Sequence, residues 1–357
     1  MMDGCLNKND TICNSLNDTS DLDYDGLTKC EWEDTARYAQ VAALGLITFA
    51  ILAGNTFVIY LVLRNKTMRK TVDLFIVNLA ICDVMLAVFN IPLELEWKIA
   101  GDDWKVTGTT GMVLCKVTNY LAVLPLVVCA ITLLFISIER YRALSKPLIA
   151  APITRTTLSM MIAITWVLGL ATNCYILYFY DLLETGLCSY KSSSYVEVFF
   201  GVDSAVTLII LVTVIIINIL LYRKIRRSTQ AIHVTVQSQQ ARNKRIRGAV
   251  KMVFCSSCTY LICIIPYHLF QFSAAMDMQF YLQILKNCSD FKALRITVFF
   301  LLYFNSAINP VFYFTFMADF RNALKAALRP ARVATTTESR NSIALAPRTG
   351  NGNASRI

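Results

Sequence analysis

The residues best suited to chemistry in this sequence stand inside strongly apolar stretches. Asp83 interrupts the run NLAICDVML, and Asn305, Ser306 and Asn309 lie within NSAINPVFY. A carboxylate at the centre of a membrane helix costs about 2.5–3.5 kcal/mol on insertion scales, so it is expected either to face a neighbouring helix or to form an ion or proton site. Because a spacing of four puts Asn305 and Asn309 on one helix face, these residues and Asn55 predict one hydrated cluster.

A second group of polar residues closes the third apolar stretch. The segment LLFISIERYRALSKPL runs from apolar residues into Glu139, Arg140 and Tyr141 and then turns basic. An acid next to an arginine can form an ion pair, which here would lie at the boundary with water. Taken alone, the pattern is also typical of the charged end of any membrane helix, so its meaning depends on the rest of the sequence.

Residues suited to enzymatic chemistry are scarce. The histidines are His233 and His268, and they suggest neither a metal-ligand cluster nor a hydrolase triad. Cys255 and Cys258 have the C-x-x-C spacing of redox or zinc sites, but they lie in an apolar segment with no second pair nearby. We therefore expect no enzyme activity and no cofactor, apart from an ion in the polar cluster.

The elements that position these residues are apolar segments long enough to cross a membrane. The sequence is 56% hydrophobic and 16% charged, whereas soluble domains carry about 25% charged residues. Lipid offers no partner to free backbone groups, and the segments lack the alternation of barrel strands, so we expect helices. The predicted fold is an all-α membrane protein, a seven-transmembrane helix bundle with spans at residues 39–63, 74–97, 112–138, 156–180, 196–222, 249–276 and 293–316.

The basic residues orient this bundle. The joining segments 64–71, 140–157, 223–251 and 317–357 hold 24 of the 34 lysines and arginines, and such residues concentrate on the cytoplasmic side. Residues 1–38 hold nine acids and three bases, so we expect an extracellular N-terminal tail. The net charge of +10 then favours contact with anionic lipid or an acidic cytosolic partner over binding to nucleic acid.

Sequons and cysteines fit this orientation. Asn9, Asn17 and Asn287 begin N-x-S/T sequons on the predicted outer side, so we expect glycosylation there. The predicted outer side also carries six cysteines in an environment where disulfides persist, and their spacing leaves the pairing open: Cys5, Cys13, Cys30, Cys115, Cys188 and Cys288.

Ordered landmarks across residues 39–325 resemble those of rhodopsin-like (class A) G-protein-coupled receptors, and of neuropeptide receptors in particular. A single landmark would be weak support, whereas the ordered set is specific. In chain order the landmarks are Gly54-Asn55, Asp83, Cys115, Glu139-Arg140-Tyr141, Trp166, Tyr222, Pro266 and Asn309-Pro310-Val311-Phe312-Tyr313.

The resemblance implies roles for the switch residues. Glu139 would hold Arg140 in the resting state, next to Tyr141. On activation Arg140 would swing free to meet a heterotrimeric G protein, while Tyr222 and Tyr313 move in to support it. The Asn309-Pro310 pair belongs to the same switch.

The resemblance also implies two disulfides and an ion site. Cys115 and Cys188 would tie the third helix to the second outer loop, and Cys30 with Cys288 would match a pairing seen in some peptide receptors. The polar cluster would be the family's sodium pocket, with Cys129 in place of the usual serine, and its members would be Asn55, Asp83, Cys129, Asn305, Ser306 and Asn309. After the seventh span, residues 317–329 resemble the family's amphipathic eighth helix, with Phe320, Leu324 and Leu328 on one side.

Besides Cys129, the sequence departs from the family pattern at three positions. Ile264 stands where the family usually has a tryptophan switch, and Tyr260 replaces the usual phenylalanine one turn earlier. Val214 occupies the position of the usual proline in the fifth span. These departures bear on the standard activation relay and leave the predicted fold unchanged.

Two classes of ligand, retinal and monoamines, can be excluded from the sequence. An opsin needs a lysine in the seventh span to bind retinal. This chain has no lysine between Lys292 and Lys325, and Tyr303 stands near the depth at which an opsin carries it. A monoamine receptor needs an acid in the outer half of the third span, where this chain has Ala122. The remaining candidates for ligand contact in the outer half of the bundle are Glu94, Glu96, Asp203, His268 and Gln271.

The acids among these candidates favour a cationic ligand, such as an arginine-bearing peptide. Each acid alone could equally lie at the water interface, and His268 could be a packed helix residue. A short neuropeptide, cationic or amidated, is the leading hypothesis. The alternatives are a receptor for a lipid or another small molecule, an orphan receptor with high basal activity and, from another class, a secondary transporter, although no internal repeat is visible.

The cytoplasmic side offers further partners. Residues 223–251 form a predicted loop with nine basic residues, which could contact a G protein or anchor the bundle. The stretch between Thr335 and Ser342, in a tail 330–357 expected to be disordered, could bind a receptor kinase and arrestin once phosphorylated. We expect a multi-pass protein of the plasma membrane.

Overall fold

A computed structural model of the chain describes residues 34–100, 104–145, 153–183, 186, 188–190, 194–231, 237–276 and 288–328. Helix α1 (Asp34–Arg64) is joined by a 3-10 turn to helix α2, and helix α3 (Gly108–Ser145) follows. Helix α2 has two α-helical parts, Thr71–Met85 and Ile91–Ala100, joined by a π-helical turn at Leu86–Asn90. Pro92, which has no N–H to donate, follows this turn, and π turns absorb such an interruption of the hydrogen-bond ladder.

The remaining helices are α4 (Arg155–Thr172), α5 (Ser194–Ala231), α6 (Gln237–Met276), α7 (Cys288–Phe316) and α8 (Ala318–Ala327). Seven helical segments of the described chain are long and apolar enough to cross a membrane, from Thr35–Arg64 to Ala293–Phe316. Large apolar side chains such as Leu46, Ile209 and Ile262 are 74%, 66% and 68% exposed along them, as expected for surfaces that contact lipid. The predicted seven-helix bundle is confirmed.

One prediction about helix ends was wrong. The segment 223–251 is not mainly a loop, because α5 continues to Ala231 and α6 begins at Gln237; its arginines, lysines, glutamines and alanines are strong helix formers. The fourth predicted span, 156–180, is confirmed as the membrane segment Arg155–Phe179, but its helix is interrupted, since α4 ends at Thr172 and a separate helical turn covers Tyr175–Phe179. At this break the amide of Asn173 donates to the carbonyl of Gly169 at 2.8 Å, which competes with continuation of the helix.

Glycine allows two close helix contacts in the core. A Cβ atom placed on Gly54 would lie 2.9 Å from Cγ of Pro310, so only glycine lets α1 come this near to α7. A Cβ on Gly169 would lie 2.7 Å from a methyl carbon of Val128, which is the corresponding contact between α4 and α3. The first contact brings Asn55, the neighbour of Gly54, against α7.

A short hairpin lies between α4 and α5. Strand β1 (Tyr180–Leu182) pairs antiparallel with strand β2 (Cys188–Tyr190), and Leu182 stands opposite Cys188. Cys188 forms a disulfide with Cys115 of α3, with 5.7 Å between the Cα atoms. The predicted disulfide is confirmed, and it fixes the hairpin to the bundle.

Helix α8 packs against the inner end of α7. Phe320 is fully buried and lies next to the ring of Tyr313, with 5.8 Å between the ring centroids. Asp319 forms an ion pair with Lys70, just before α2, at 2.6 Å. Leu328, which follows the last residue of α8, is 73% exposed.

Several predicted features lie outside the described residues. They are the sequons of Asn9, Asn17 and Asn287, the Cys30 and Cys288 side chains, the Gln271 side chain and the stretch between Thr335 and Ser342.

Candidate functional site

The predicted polar cluster lies at the centre of the bundle, where helices α1, α2 and α7 meet. The amide nitrogen of Asn309 donates to the carboxylate of Asp83 at 3.0 Å. The amide nitrogen of Asn55 donates to the backbone carbonyls of Ile51 and Ser306, at 3.0 and 3.1 Å. All of these side chains are buried, so the cluster links three helices through hydrogen bonds shielded from water.

A small cavity of about 10 Å³ adjoins Asp83, with Cys129, Asn305 and Ser306 in its wall. This volume admits about one water-sized particle. The side-chain oxygen of Asn305 is buried and has no hydrogen-bond partner among the described residues. A carboxylate and the uncommitted oxygen of Asn305 suit a hard cation such as sodium, whereas the Cys129 thiol is a poor ligand for one.

A second buried polar group ties α2 to α3 and α4. The amide nitrogen of Asn78 donates to the Thr132 hydroxyl at 2.8 Å, and the indole nitrogen of Trp166 donates to the Asn78 carbonyl oxygen at 2.9 Å. Trp166 was recognised as a landmark, but its partner was not. The signal for that partner was present, since Asn78 is a polar residue in an apolar span.

A third polar group, which the sequence analysis missed, joins α3, α5 and α6. The amide nitrogen of Asn218 lies 3.1 Å from the Ser137 hydroxyl, 3.2 Å from the Ser257 hydroxyl and 2.9 Å from the Val214 carbonyl oxygen. The amide has two hydrogens, so three acceptors share them. Asn218, Ser137 and Ser257 are all buried. The asparagine in IIINILL was the available signal, for the same reason as Asn78.

The inner end of α3 carries the predicted ion pair. Arg140 Nε donates to Glu139 Oε2 at 2.5 Å, and both side chains are mostly buried. Tyr141 is 38% exposed, with the ammonium group of Lys224 5.3 Å from its ring centroid. Arg140 is thus held by its neighbouring acid in this conformation.

The two tyrosines predicted to support Arg140 have different surroundings. Tyr222 is 53% exposed and stacks on Phe254 of α6, with 5.9 Å between the ring centroids. Tyr313 is fully buried, and its hydroxyl has no hydrogen-bond partner among the described residues. The ring contacts of the two tyrosines, with Phe254 and with Phe320, do not involve Arg140.

At the outer end of the bundle, Glu94 of α2 pairs with Arg295 of α7. Glu94 Oε1 accepts from Arg295 Nη2 at 2.8 Å, and the two side chains are 9% and 24% exposed. We expected Glu94 to be an acid available to a cationic ligand, but Arg295 already neutralises it. Arg295 could not be recognised as the partner from the sequence, because a pairing across 201 residues leaves no local pattern.

Aromatic residues of α7 continue inward from this pair. The guanidinium of Arg295 lies 5.3 Å from the ring centroid of Phe299, and one turn further the Tyr303 hydroxyl donates to the Asn90 side-chain oxygen at 2.5 Å. A cavity of about 60 Å³ opens here between α1, α2 and α7. Its wall comprises Gln40, Ala43, Leu44, Glu94, Ile296, Phe299, Phe300 and Tyr303.

The other ligand candidates lie on different helices. His268 of α6 is 2% exposed, and its Nδ1 lies 3.4 Å from the Ser204 hydroxyl of α5. The His268 Nε2 atom is buried with no partner among the described residues. Ala122 is buried, while Glu96 and Asp203 are partly exposed, and of these candidates only Glu94 and Tyr303 share the 60 Å³ cavity.

A bundle of seven membrane helices, with a cavity at one end and a paired Glu139–Arg140 at the other, defines a transmembrane receptor. Residues 54–313 match the family model described as 7 transmembrane receptor (rhodopsin family), so the chain belongs to that family.

Three individual receptors that resemble this chain are identical to it at about a quarter of the aligned residues. The chain is 24% identical to the probable G-protein coupled receptor tkr-1 of Caenorhabditis elegans, over 78% of this chain and 68% of that receptor. It is 26% identical to the human (Homo sapiens) neuropeptide Y receptor type 2, over 82% of this chain and 75% of the relative. It is also 24% identical to the octopamine receptor beta-2R of Chilo suppressalis, over 87% and 85% of the two chains.

Proposed function

We propose that this receptor lies in the plasma membrane with its N-terminus outside, binds an extracellular peptide and activates heterotrimeric G proteins. One observation carries the proposal: the outer cavity beside the Glu94–Arg295 pair and the Glu139–Arg140 pair lie at opposite ends of one helix bundle. Polar groups at the outer end can orient a polar ligand, and the basic inner end suits an acidic cytosolic partner. The neuropeptide Y receptor type 2 among the relatives supports a peptide as the ligand class.

An amine ligand is the main competitor, because an octopamine receptor is also among the relatives. An amine receptor of this family requires an acid in the outer half of α3. That position is the buried Ala122, and α3 has no acid before Glu139. The peptide is therefore the better hypothesis, and a lipid ligand or a constitutively active orphan receptor remains as an outcome of the test.

Signal transfer would depend on release of Arg140. In the resting arrangement Glu139 neutralises the guanidinium at 2.5 Å. Separation of the pair would free a guanidinium, with its fixed fork of hydrogen-bond donors, to bind backbone carbonyls or acidic groups of a G protein. Tyr222, whose ring here stacks on Phe254, and Tyr313, whose ring here lies beside Phe320, would supply hydroxyls near the freed side chain.

We also propose that sodium is an allosteric ligand of this receptor. Asp83, Asn305 and Ser306 would hold the ion through oxygen atoms, which hard cations prefer. The ion would supply a positive charge to balance the buried carboxylate of Asp83. The Asn309–Asp83 hydrogen bond already holds α7 to α2 at this point.

Phosphorylation between Thr335 and Ser342 would add negative charge to the C-terminal tail. A receptor kinase would carry out this modification, and arrestin would bind the resulting anionic segment.

The experiment that tests the peptide hypothesis is a ligand screen in cells that display the receptor. Pools of synthetic peptides, biogenic amines and lysophospholipids are compared by G-protein activation, with Arg140→Ala at equal surface level as the uncoupled control. The proposal predicts activation by at least one peptide pool, lost in Arg140→Ala. A response to amines or lipids alone would contradict it.

A further inference from the structure

The Glu94–Arg295 pair favours a neutral ligand group over a charged one, which neither side chain would do alone. Its two groups carry opposite charges, touch at 2.8 Å and are mostly shielded from water. In a low-dielectric site an approaching charge meets both an attractive and a repulsive partner. A cationic group would be repelled by Arg295, and a carboxylate by Glu94.

The cavity next to the pair limits the size of the group that can enter. It measures about 60 Å³ and, apart from Glu94 and Gln40, its wall is apolar or aromatic. Glu94 belongs to this wall, while the Arg295 guanidinium lies behind it, 5.3 Å from the ring centroid of the wall residue Phe299. Since a water molecule needs roughly 10–15 Å³ by the same measure, there is room for a group of about four or five non-hydrogen atoms. This volume admits the end of a ligand and excludes a folded segment.

We infer that Glu94 and Arg295 together anchor a neutral primary carboxamide, such as the amidated C-terminus of a peptide. A carboxamide carries an NH₂ donor and a carbonyl acceptor side by side. Its NH₂ group can donate to a Glu94 oxygen while its oxygen accepts from the Arg295 guanidinium. The inference rests on the proposed function in that a peptide delivers the group, and it narrows the ligand class from cationic or amidated to amidated.

The same chemistry could come from two parts of a peptide. A C-terminal amide and the side chain of asparagine or glutamine present identical groups. The small cavity and its apolar wall favour the chain terminus, because a side-chain amide brings its own backbone to the cavity mouth. Free-acid peptides with and without asparagine and glutamine separate the two sources.

The first experiment compares the end group in cells. Pools of random hexapeptides are made as the C-terminal amide, as the free acid, and with a cationic 2-aminoethylamide cap. In the wild type the amide pool should act at about tenfold lower concentration than either other pool, because it alone lacks a repulsive contact. Glu94→Gln should shift the preference about tenfold toward the free acid, and Arg295→Gln about tenfold toward the cationic cap.

Matched controls separate this effect from general changes in outer charge. Lys116 and Asp181 form another outer ion pair, at 3.7 Å, outside the 60 Å³ cavity wall. Lys116→Gln and Asp181→Asn should leave the order of the three pools unchanged. The double variant Glu94→Gln/Arg295→Gln leaves no uncompensated charge behind, and it should fold and show no discrimination between amide and acid.

The second experiment does not depend on activation. The thermal denaturation of the purified receptor is measured with N-acetylleucinamide and with N-acetylleucine at equal millimolar concentration. A larger rise in Tm with the amide, lost in the double variant, supports the anchor. An equal rise, or an end-group preference that Glu94→Gln leaves unchanged, overturns the inference. If the amide raises Tm selectively while every peptide pool is silent, the peptide function fails and the carboxamide anchor stands.

Discussion

Removal of the Ser257 hydroxyl should raise signalling in the absence of ligand. Ser257 of α6 accepts a hydrogen bond from Asn218 of α5 at 3.2 Å. It lies nine residues before Pro266, on the side of that proline toward the N-terminus of α6. Because proline removes a backbone hydrogen bond and bends a helix, the inner half of α6 can pivot there. An outward movement of this half would break the Asn218–Ser257 contact, so the contact favours the resting arrangement.

The size of the effect follows from the geometry. Hydrogen bonds between membrane helices average about 0.6 kcal/mol in double-mutant cycles, with a maximum of about 1.7 kcal/mol. The Asn218 amide shares two hydrogens among three acceptors, so after Ser257→Ala both hydrogens still have a partner. The lower figure therefore applies, and about 0.6 kcal/mol corresponds to roughly a threefold increase in the minor signalling population.

The assay is basal nucleotide exchange on a G protein, normalised to receptor number. Ser137→Ala is the matched control, because it removes the bond between α3 and α5, at 3.1 Å, and leaves α6 untouched. We expect about a threefold rise for Ser257→Ala and none for Ser137→Ala. Equal basal activity in the two variants, or a rise in both, would refute the idea that the contact with α6 carries the restraint.

Three other predictions follow from buried contacts. Glu139→Gln should raise basal nucleotide exchange because it removes the charge that holds Arg140. Arg140→Ala should abolish nucleotide exchange on the G protein while the surface level of the receptor stays unchanged. Normal exchange in Arg140→Ala would contradict the role of Arg140. Asp83→Asn should make agonist affinity insensitive to replacement of sodium chloride by choline chloride, whereas a retained sodium effect would place the ion elsewhere. Tyr260→Phe removes a hydroxyl that donates to the Leu126 carbonyl at 2.8 Å. The purified receptor should therefore lose about 0.6–1.7 kcal/mol of stability, which is measured as a lower Tm. An unchanged Tm would show that this bond contributes a negligible amount.

The fold could be predicted because its determinants are local. Each membrane helix is encoded by its own apolar run, and landmarks such as Asp83, Cys115 and Asn309 fix the order of the helices. The ends of the helices were less predictable. Helices α5 and α6 continue into water on residues with high helix propensity, and hydropathy alone cannot place such ends.

The pairing of side chains was less predictable than the fold. A polar residue within an apolar span indicates that a partner exists, but the partner lies on another helix. Glu94 illustrates the consequence: from the sequence it was a free acid, and only the fold brings Arg295 to it. The ligand that we propose therefore narrows from a cationic or amidated peptide to an amidated one.

The departures at Ile264 and Val214 bear on what restrains α6 in this receptor. Ile264 is buried but has no polar atom with which to switch, so restraint must come from neighbouring polar contacts. In the described part of α6 that precedes Pro266, two such contacts reach neighbouring helices: the Tyr260 hydroxyl binds α3, and Ser257 binds Asn218 of α5. At about 0.6 kcal/mol each, the two bonds favour rest by roughly sevenfold. A ligand that binds the signalling state about a hundredfold more tightly contributes about 2.7 kcal/mol, more than twice that restraint. Modest differential affinity at the outer cavity would therefore be sufficient to release α6 from these two contacts.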